Sequence, residues 1–246
     1  MKVMDASELY DPEFRKLIKE KKPTIIIPVG SLEQHGAHLP ITTDSDIVTE
    51  IASRLAKKCG FIVLPTISYG VSFEHEPLIN ISIKPEELIS LLSNIIMTLT
   101  NATIQSCIIL NGHHGNVLAL DAFENFMKKQ MKKDEMRVDG LNLQSFKSYS
   151  YWKFMKHEFD HAGFVETSIM LAISDKVKMK KAKKGLITED LSEKEIQRIN
   201  KLSTQPGGFP QVARNGVWGD PTSATKKDGE KFLAEIVRNL AKECQS

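Results

Sequence analysis

Thr24-Ile-Ile-Ile-Pro-Val-Gly-Ser-Leu-Glu-Gln-His-Gly-Ala-His-Leu-Pro-Ile-Thr-Thr-Asp44 runs from an apolar segment through a polar loop to the start of a helical pattern. Residues 24–29 read as a strand buried on both faces, because no polar residue alternates with the apolar ones after Thr24. The loop behind it collects Glu33, His35, His38 and Asp44. Carboxylates and imidazoles at the end of a buried strand are costly to desolvate unless something pairs with them. A divalent metal suits such a mixed oxygen and nitrogen set. The segment therefore points toward metal-assisted hydrolysis.

Outward from this stretch the chain alternates strands and helices. From Asp44 on, Ile47, Val48, Ile51, Ala52, Leu55 and Ala56 share one helical face, ending at Cys59-Gly60. Phe61–Pro65 reads as a second strand. Pro85 opens a long helix with Leu88, Leu91, Leu92, Ile95, Ile96 and Leu99 as its apolar positions. Ile104–Leu110 reads as a third strand and runs into Asn111-Gly-His-His-Gly-Asn116. A helix through Leu118, Phe123, Phe126 and Met127 follows, then a candidate fourth strand at 136–143. Residues 226–244 read as a closing amphipathic helix. All-apolar strands separated by amphipathic helices imply an α/β fold of three layers, α/β/α, with a mainly parallel sheet. Residues 1–246 are expected to form a single domain. Ligands of such sheets bind at the carboxyl ends of the strands. Both His-rich loops follow a strand directly, so Glu33, His35 and His113 are expected to meet there.

Composition sets limits on the function. The chain has 246 residues, 41% hydrophobic and 26% charged, as an ordinary globular protein does. A net charge of +2 is too small to argue for nucleic acid. There is no apolar signal segment after the first residues and no window long enough to span a membrane. Cys59, Cys107 and Cys244 are far apart, which fits a reducing cytoplasm without disulfides. Cys107 reads as a small core residue. The basic run from Lys176 to Lys184 reads as a solvated surface.

A third polar segment, Asp160-His-Ala-Gly-Phe-Val-Glu-Thr-Ser168, places His161 and Glu166 before another helical pattern. Each residue has a plainer alternative. His113 could be a loop histidine bonded to backbone, Asp44 a helix N-cap, and Glu166 a solvated acid in a first turn. The two glycines of Asn111–Asn116 are expected to allow a tight turn that brings an imidazole to the sheet end.

Together these segments, with Gly216-Val-Trp-Gly-Asp-Pro-Thr-Ser-Ala-Thr225 near the end, closely resemble the creatininase family of metal-dependent amidohydrolases over roughly residues 20 to 243. The resemblance implies an α/β fold assembled as a homo-oligomer, usually a hexamer, with two divalent ions per chain (zinc, manganese or iron). It implies that Glu33 and His113 bind one ion, that His35 binds the other, and that Asp44 bridges them. Creatinine-hydrolysing members carry a glutamate two residues after the Asn-Gly-His histidine. This chain has Gly115 there, so Glu166 is assigned as the fifth ligand by motif. His161 matches the family's proton-transferring histidine. His75 and Trp152 are assigned to substrate binding. The missing carboxylate and the altered aromatic set argue against creatinine.

The expected reaction is hydrolysis of a non-peptide C–N bond in a small polar molecule, with a formylaminopyrimidine ribotide deformylase as the favoured activity. Creatinine amidohydrolase comes second, and a small-peptide peptidase for a redox-cofactor precursor third. A non-catalytic metal- or ligand-binding protein on the same fold is a rival from another class, and retention of His161 argues against it. A nucleotide-phosphate binding module would want a G-x-G-x-x-G turn, and none occurs.

Overall fold

The structure, a computed structural model, describes residues 4–132, 143–158 and 160–245. Five strands form one sheet: β1 (Met4–Asp5), β2 (Ile25–Val29), β3 (Ile62–Val63), β4 (Ser106–Asn111) and β5 (Ser145–Ser150). Their order is β1-β3-β2-β4-β5, and every strand pair is parallel. The helices are α1 (Asp11–Lys21), α2 (Thr43–Cys59), α3 (Pro85–Asn101), α4 (Val117–Lys132), α5 (Phe164–Ile173), α6 (Glu193–Ser203), α7 (Phe209–Val212) and α8 (Lys226–Gln245). The fold is the α/β architecture expected. The strand proposed at 136–143 lies outside the described residues but for Leu143. The local patterning described above does not mark β1, α1, β5, α6 or α7.

The sheet divides two cores, and β2 shows why. Successive residues of a strand point to opposite faces. Ile26 packs with α2, α5 and α8, through Ile47, Ile51, Ile169, Leu233 and Ile236. Ile25, Ile27 and Val29 pack on the other side with Ile18 of α1, Leu88 and Leu92 of α3, and Phe123 of α4. β2 is buried throughout because both faces are covered. The α2 face foreseen from its periodicity is buried at all six positions. The pattern for α3 and α4 was too generous: Leu91, Leu118 and Phe126 are exposed, Leu118 at 81%. Helical spacing alone cannot separate a core stripe from apolar residues at its edge. Each lysine from Lys176 to Lys184 is exposed, as expected of a solvated run. Among the described residues no helix is long and apolar enough to cross a membrane.

Chain order reverses at β2, which has β3 on one side and β4 on the other. The crevice at the carboxyl ends of β2 and β4 is thus the topological switch point, where open parallel sheets bind ligands.

Candidate metal centre

The loop after β2 is clamped on both sides. Glu33 N–H donates to the Ile41 carbonyl at 3.1 Å, and Gln34 N–H donates to the Ile79 carbonyl at 2.8 Å. This fixes Glu33 and His35 over the sheet end, both fully buried. Asp44 lies in the first turn of α2. Thr42 holds the cap position, so the N-cap alternative for Asp44 fails. Its carboxylate instead reaches two histidines: Oδ1 is 3.1 Å from His35 Nε2, and Oδ2 is 3.1 Å from His113 Nδ1. Gly112 permits this approach, because a Cβ there would lie 2.7 Å from the Asp44 carbonyl oxygen and from Val48 Cβ. Neither Gly112 nor Gly115 has a positive φ. The chain does turn tightly here, in the 3-10 turn His114–Asn116 that contains Gly115, and both glycines also allow close approach.

His161 and Glu166 flank the break that starts α5. Asp160 accepts from Val165 N–H at 2.8 Å, and Glu166 Oε2 accepts from Ala162 N–H at 2.7 Å. The Glu166 side chain is thereby turned inward, and the residue is 1% exposed. A solvated first-turn acid is excluded. Glu166 Oε2 stands 3.6 Å from His35 Nε2. The C-terminal Gly216–Gly219 segment pins His161: its N–H donates to the Trp218 carbonyl at 3.0 Å and Trp218 N–H returns a bond at 2.8 Å. His161 Nδ1 faces Glu33 Oε1 at 3.9 Å.

Two donor groups result, Glu33–Asp44–His113 and His35–Asp44–Glu166, each with ligand atoms within 4.8 Å of one another, and Asp44 belongs to both. Both oxygens of Glu33 and Oδ2 of Asp44 are buried and face imidazole nitrogens of His75 and His113 at 3.0–3.2 Å without the alignment of a hydrogen bond. An orphaned buried acceptor costs about 1–3 kcal/mol, and more when charged. Oxygen and imidazole donors of this kind fit divalent ions such as zinc, manganese or iron. His35 supports this fit. Its Nδ1 lies 3.1 Å from the Glu33 carbonyl, which can only accept, so Nδ1 carries hydrogen and Nε2 faces Asp44 and Glu166.

In the metal-free protein, protons stand where cations would. Burial lowers the pKa of His35, but Asp44, Glu166 and Glu33 overcome it and raise it to about 10. His113 is likewise raised well above its ordinary value, burial being outweighed by Glu33 and Asp44. Burial pushes Glu166 up to about 8. Asp44 is held below the carboxylate range, against burial, by His35 and His113. At pH 7, metal uptake must therefore displace protons from His35, His113 and Glu166. Affinity is expected to rise with pH from 6 to 8. Titration calorimetry in buffers of different ionisation enthalpy should show proton release; a binding heat independent of buffer would contradict this protonation pattern.

His161 differs. Burial, with His35 and His75 beside it, lowers its pKa well below the ordinary value, so it is neutral at pH 7. His75 is buried, with Nε2 3.0 Å from Glu33 Oε1 and Nδ1 accepting from Gln34 Nε2 at 3.0 Å. His38 lies behind the site against Thr167 at 3.0 Å, and burial lowers its pKa to about 4.

A cavity of about 740 Å³ opens over these groups, with Glu33, Asp44, His75, His113, His161 and Glu166 among its lining. Val71, Phe73, Phe209 and Trp218 give it apolar walls, and among the described residues no lysine or arginine lines it. Trp152, expected to bind substrate, is not in the lining. It stacks behind His114 with ring centroids 5.8 Å apart. Glu74, Phe209 and Trp218 were missed as lining residues. Glu74 directly precedes His75, but Phe209 gave no local signal.

The family model described as creatininase, creatinine amidohydrolase, matches residues 7–244. A mycofactocin precursor peptide peptidase of Mycobacterium ulcerans (strain Agy99) is 32% identical over 234 residues, covering 87% of this chain and 82% of that protein. A 2-amino-5-formylamino-6-ribosylaminopyrimidin-4(3H)-one 5'-monophosphate deformylase of Methanocaldococcus infernus is 28% identical over 234 residues, covering 93% and 94%. A creatininase variant solved in a zinc–zinc form has the same fold, with TM-score 0.80 at 22% identity over 100% of this chain and 98% of that one. A manganese form gives 0.78 at 22% identity over 99% and 98%. With a family model spanning nearly the whole chain, and an α/β fold that carries its motif residues to one crevice, the protein belongs to the creatininase family of hydrolases.

Proposed function

We propose that this protein hydrolyses an amide C–N bond with two divalent ions, one held by Glu33 and His113, one by His35 and Glu166, and both by Asp44. The observation that carries this reading is the pair of donor groups sharing Asp44 on the floor of a deep cavity. Such a pair of ions, when bound, would supply a nucleophilic water at neutral pH and polarise the scissile carbonyl. The chain's own residues do the rest. His161 enters neutral and faces Glu33 across the cavity floor. It is placed to take a proton from the attacking water and hand it to the leaving nitrogen. Trp218 holds it there through the paired backbone bonds. Val71, Phe73 and Phe209 exclude water around the reacting carbonyl.

The cavity wall also bears on the substrate. A ribotide carries a phosphate, which calls for arginine, lysine or a helix N-terminus. Among the described residues no lysine or arginine lines the cavity. The first turn of α4, Val117–Ala119, does line the cavity, so the choice of a peptide-like amide with apolar groups over the formylaminopyrimidine ribotide favoured by sequence rests on the missing cations and on relatives named as precursor-peptide peptidases. Creatinine stays disfavoured, since Gly115 bears no carboxylate and Trp152 is outside the cavity. The metal-loaded protein should be assayed against short apolar peptides, formamides and cyclic amides. Turnover of peptides alone is the expected result. Turnover confined to a phosphorylated formamide would restore the deformylase reading, and no hydrolysis of any class would refute an amidohydrolase.

Glu166→Gln checks the ligand assignment. It should weaken one ion while the ion at Glu33 and His113 stays, seen as stepwise loss on chelator titration. A mutant that keeps both ions at wild-type affinity would leave Glu166 outside the metal shell.

A further inference from the structure

We propose that Gln34 is a positioning residue that locks the hydrogen of His75 on Nε2 and so keeps that imidazole out of the metal shell. The roles of Glu33 and His161 in this inference rest on the two-ion reading above; the hydrogen placement rests on geometry alone. Gln34 stands between Glu33 and His35 in the chain and is buried. Gly36 N–H donates to its side-chain Oε1 at 3.0 Å. A backbone N–H can only donate, so the atom facing it is the amide oxygen and the amide nitrogen points the other way. There Nε2 of Gln34 lies 3.0 Å from His75 Nδ1 and 3.1 Å from His161 Nε2. An amide nitrogen only donates, and it carries a hydrogen for each ring.

For His75 the consequence is unambiguous. Its Nδ1 accepts, so the hydrogen of the ring is on Nε2, which faces Glu33 Oε1 at 3.0 Å and Glu74 Oε1 at 4.0 Å. These three residues form a group whose ligand atoms lie within 4.8 Å of one another. An imidazole ligates only through a nitrogen without hydrogen. Ligation by Nε2 would move the hydrogen to Nδ1, against the N–H of the amide. Gln34 thus closes this group to a metal ion and leaves Glu33 to the group it forms with Asp44 and His113. His161 is treated differently by the same residue. Its Nε2 also lies 3.1 Å from the backbone carbonyl of Gln34, which only accepts. Gln34 therefore offers that nitrogen a donor and an acceptor, and it is partnered in either tautomer. The ring proposed to move protons is held in place with its hydrogen unfixed, while the ring beside it, 4.8 Å away between centroids, is locked.

The C-terminal segment keeps the amide where it is. Gly216 has a φ of 74°, and a Cβ there would run into Gln34 Oε1. The segment that pins His161 through Trp218 thus also closes on Gln34.

The test is nitrogen NMR of the zinc-loaded protein with isotope-labelled histidine, the His75 signals being identified by their loss in His75→Asn. Wild type should show His75 with a hydrogen on Nε2, a bare Nδ1 and no bound zinc. Gln34→Glu keeps an oxygen for Gly36 and turns the donor into an acceptor, so His75 should gain a hydrogen on Nδ1. Gln34→Met keeps the volume but offers no donor, so the Nδ1 resonance should move to that of a nitrogen without a hydrogen bond. This second variant decides the matter if the buried glutamate prevents folding. A hydrogen on Nδ1 or zinc on Nε2 in the wild type would overturn the proposal. So would a bare Nδ1 in Gln34→Glu, or an unmoved Nδ1 resonance in Gln34→Met, which is what a packing role alone predicts. Zinc counted on the same samples keeps the two readings apart. A wild type with fewer than two ions refutes the two-ion centre, while the place of the His75 hydrogen is read independently of that count.

Discussion

Asp44→Ala is expected to release both divalent ions and bring turnover below detection. The geometry is specific about why one substitution should do this. Oδ1 and Oδ2 of the same carboxylate face His35 and His113, which belong to different donor groups. No other residue belongs to both of these groups. Without Asp44 one group keeps Glu33 and His113, and the other keeps His35 and Glu166. Two ligands each fall short of the three protein ligands usual in catalytic sites. Changes outside the ligand shell already cost about 10–100-fold in affinity or activity, so losing a bridging ligand should exceed that. Elemental analysis of wild type and variant decides the matter. One tightly held ion in both proteins would refute the two-ion centre. Folding is a separate readout: Asp44 lies inside α2 and makes no cap bond, so the variant should retain its circular dichroism.

His161→Ala should show the opposite split: metals kept, turnover reduced by roughly 10²–10⁴-fold, the usual scale for a general acid–base residue. His161 is absent from both donor groups that share Asp44, and its Nδ1 is 3.9 Å from Glu33 Oε1. It does form a group with Glu33 and His35, whose ligand atoms also lie within 4.8 Å of one another. If His161→Ala loses an ion as readily as His113→Ala, it is a ligand and the proton must pass through another group. If metals and turnover both survive, its place at the cavity floor is structural. The pinning by Trp218 uses only backbone atoms of residue 161 and should survive the substitution.

Sequence alone determined the order of the elements that carry the site, β2 through α4 with α5 and α8, and the identity of most polar groups at the sheet end. Local patterns suffice for this. An unbroken apolar run such as Ile25–Val29 is stable only with both faces covered, which demands a parallel sheet between helices. The loops after β2 and β4 then open at the same end, and Glu33, His35 and His113 arrive there together. The spacing of Ile47, Val48, Ile51 and Leu55 likewise put Asp44 at the start of a helix. Tertiary structure decided what depends on contacts between distant segments. It turned Glu166 from a first-turn acid into a buried neighbour of His35, through the Ala162 and Asp160 bonds that start α5. It moved Trp152 behind His114 and put Trp218 and Phe209 at the cavity instead. It gave Gly112 and Gly115 their purpose, since the atoms they make room for come from α2 and from residues 71–74. Periodicity records which face of a segment is buried, but not which remote segment covers it, and that is fixed only when helices and loops close over the sheet.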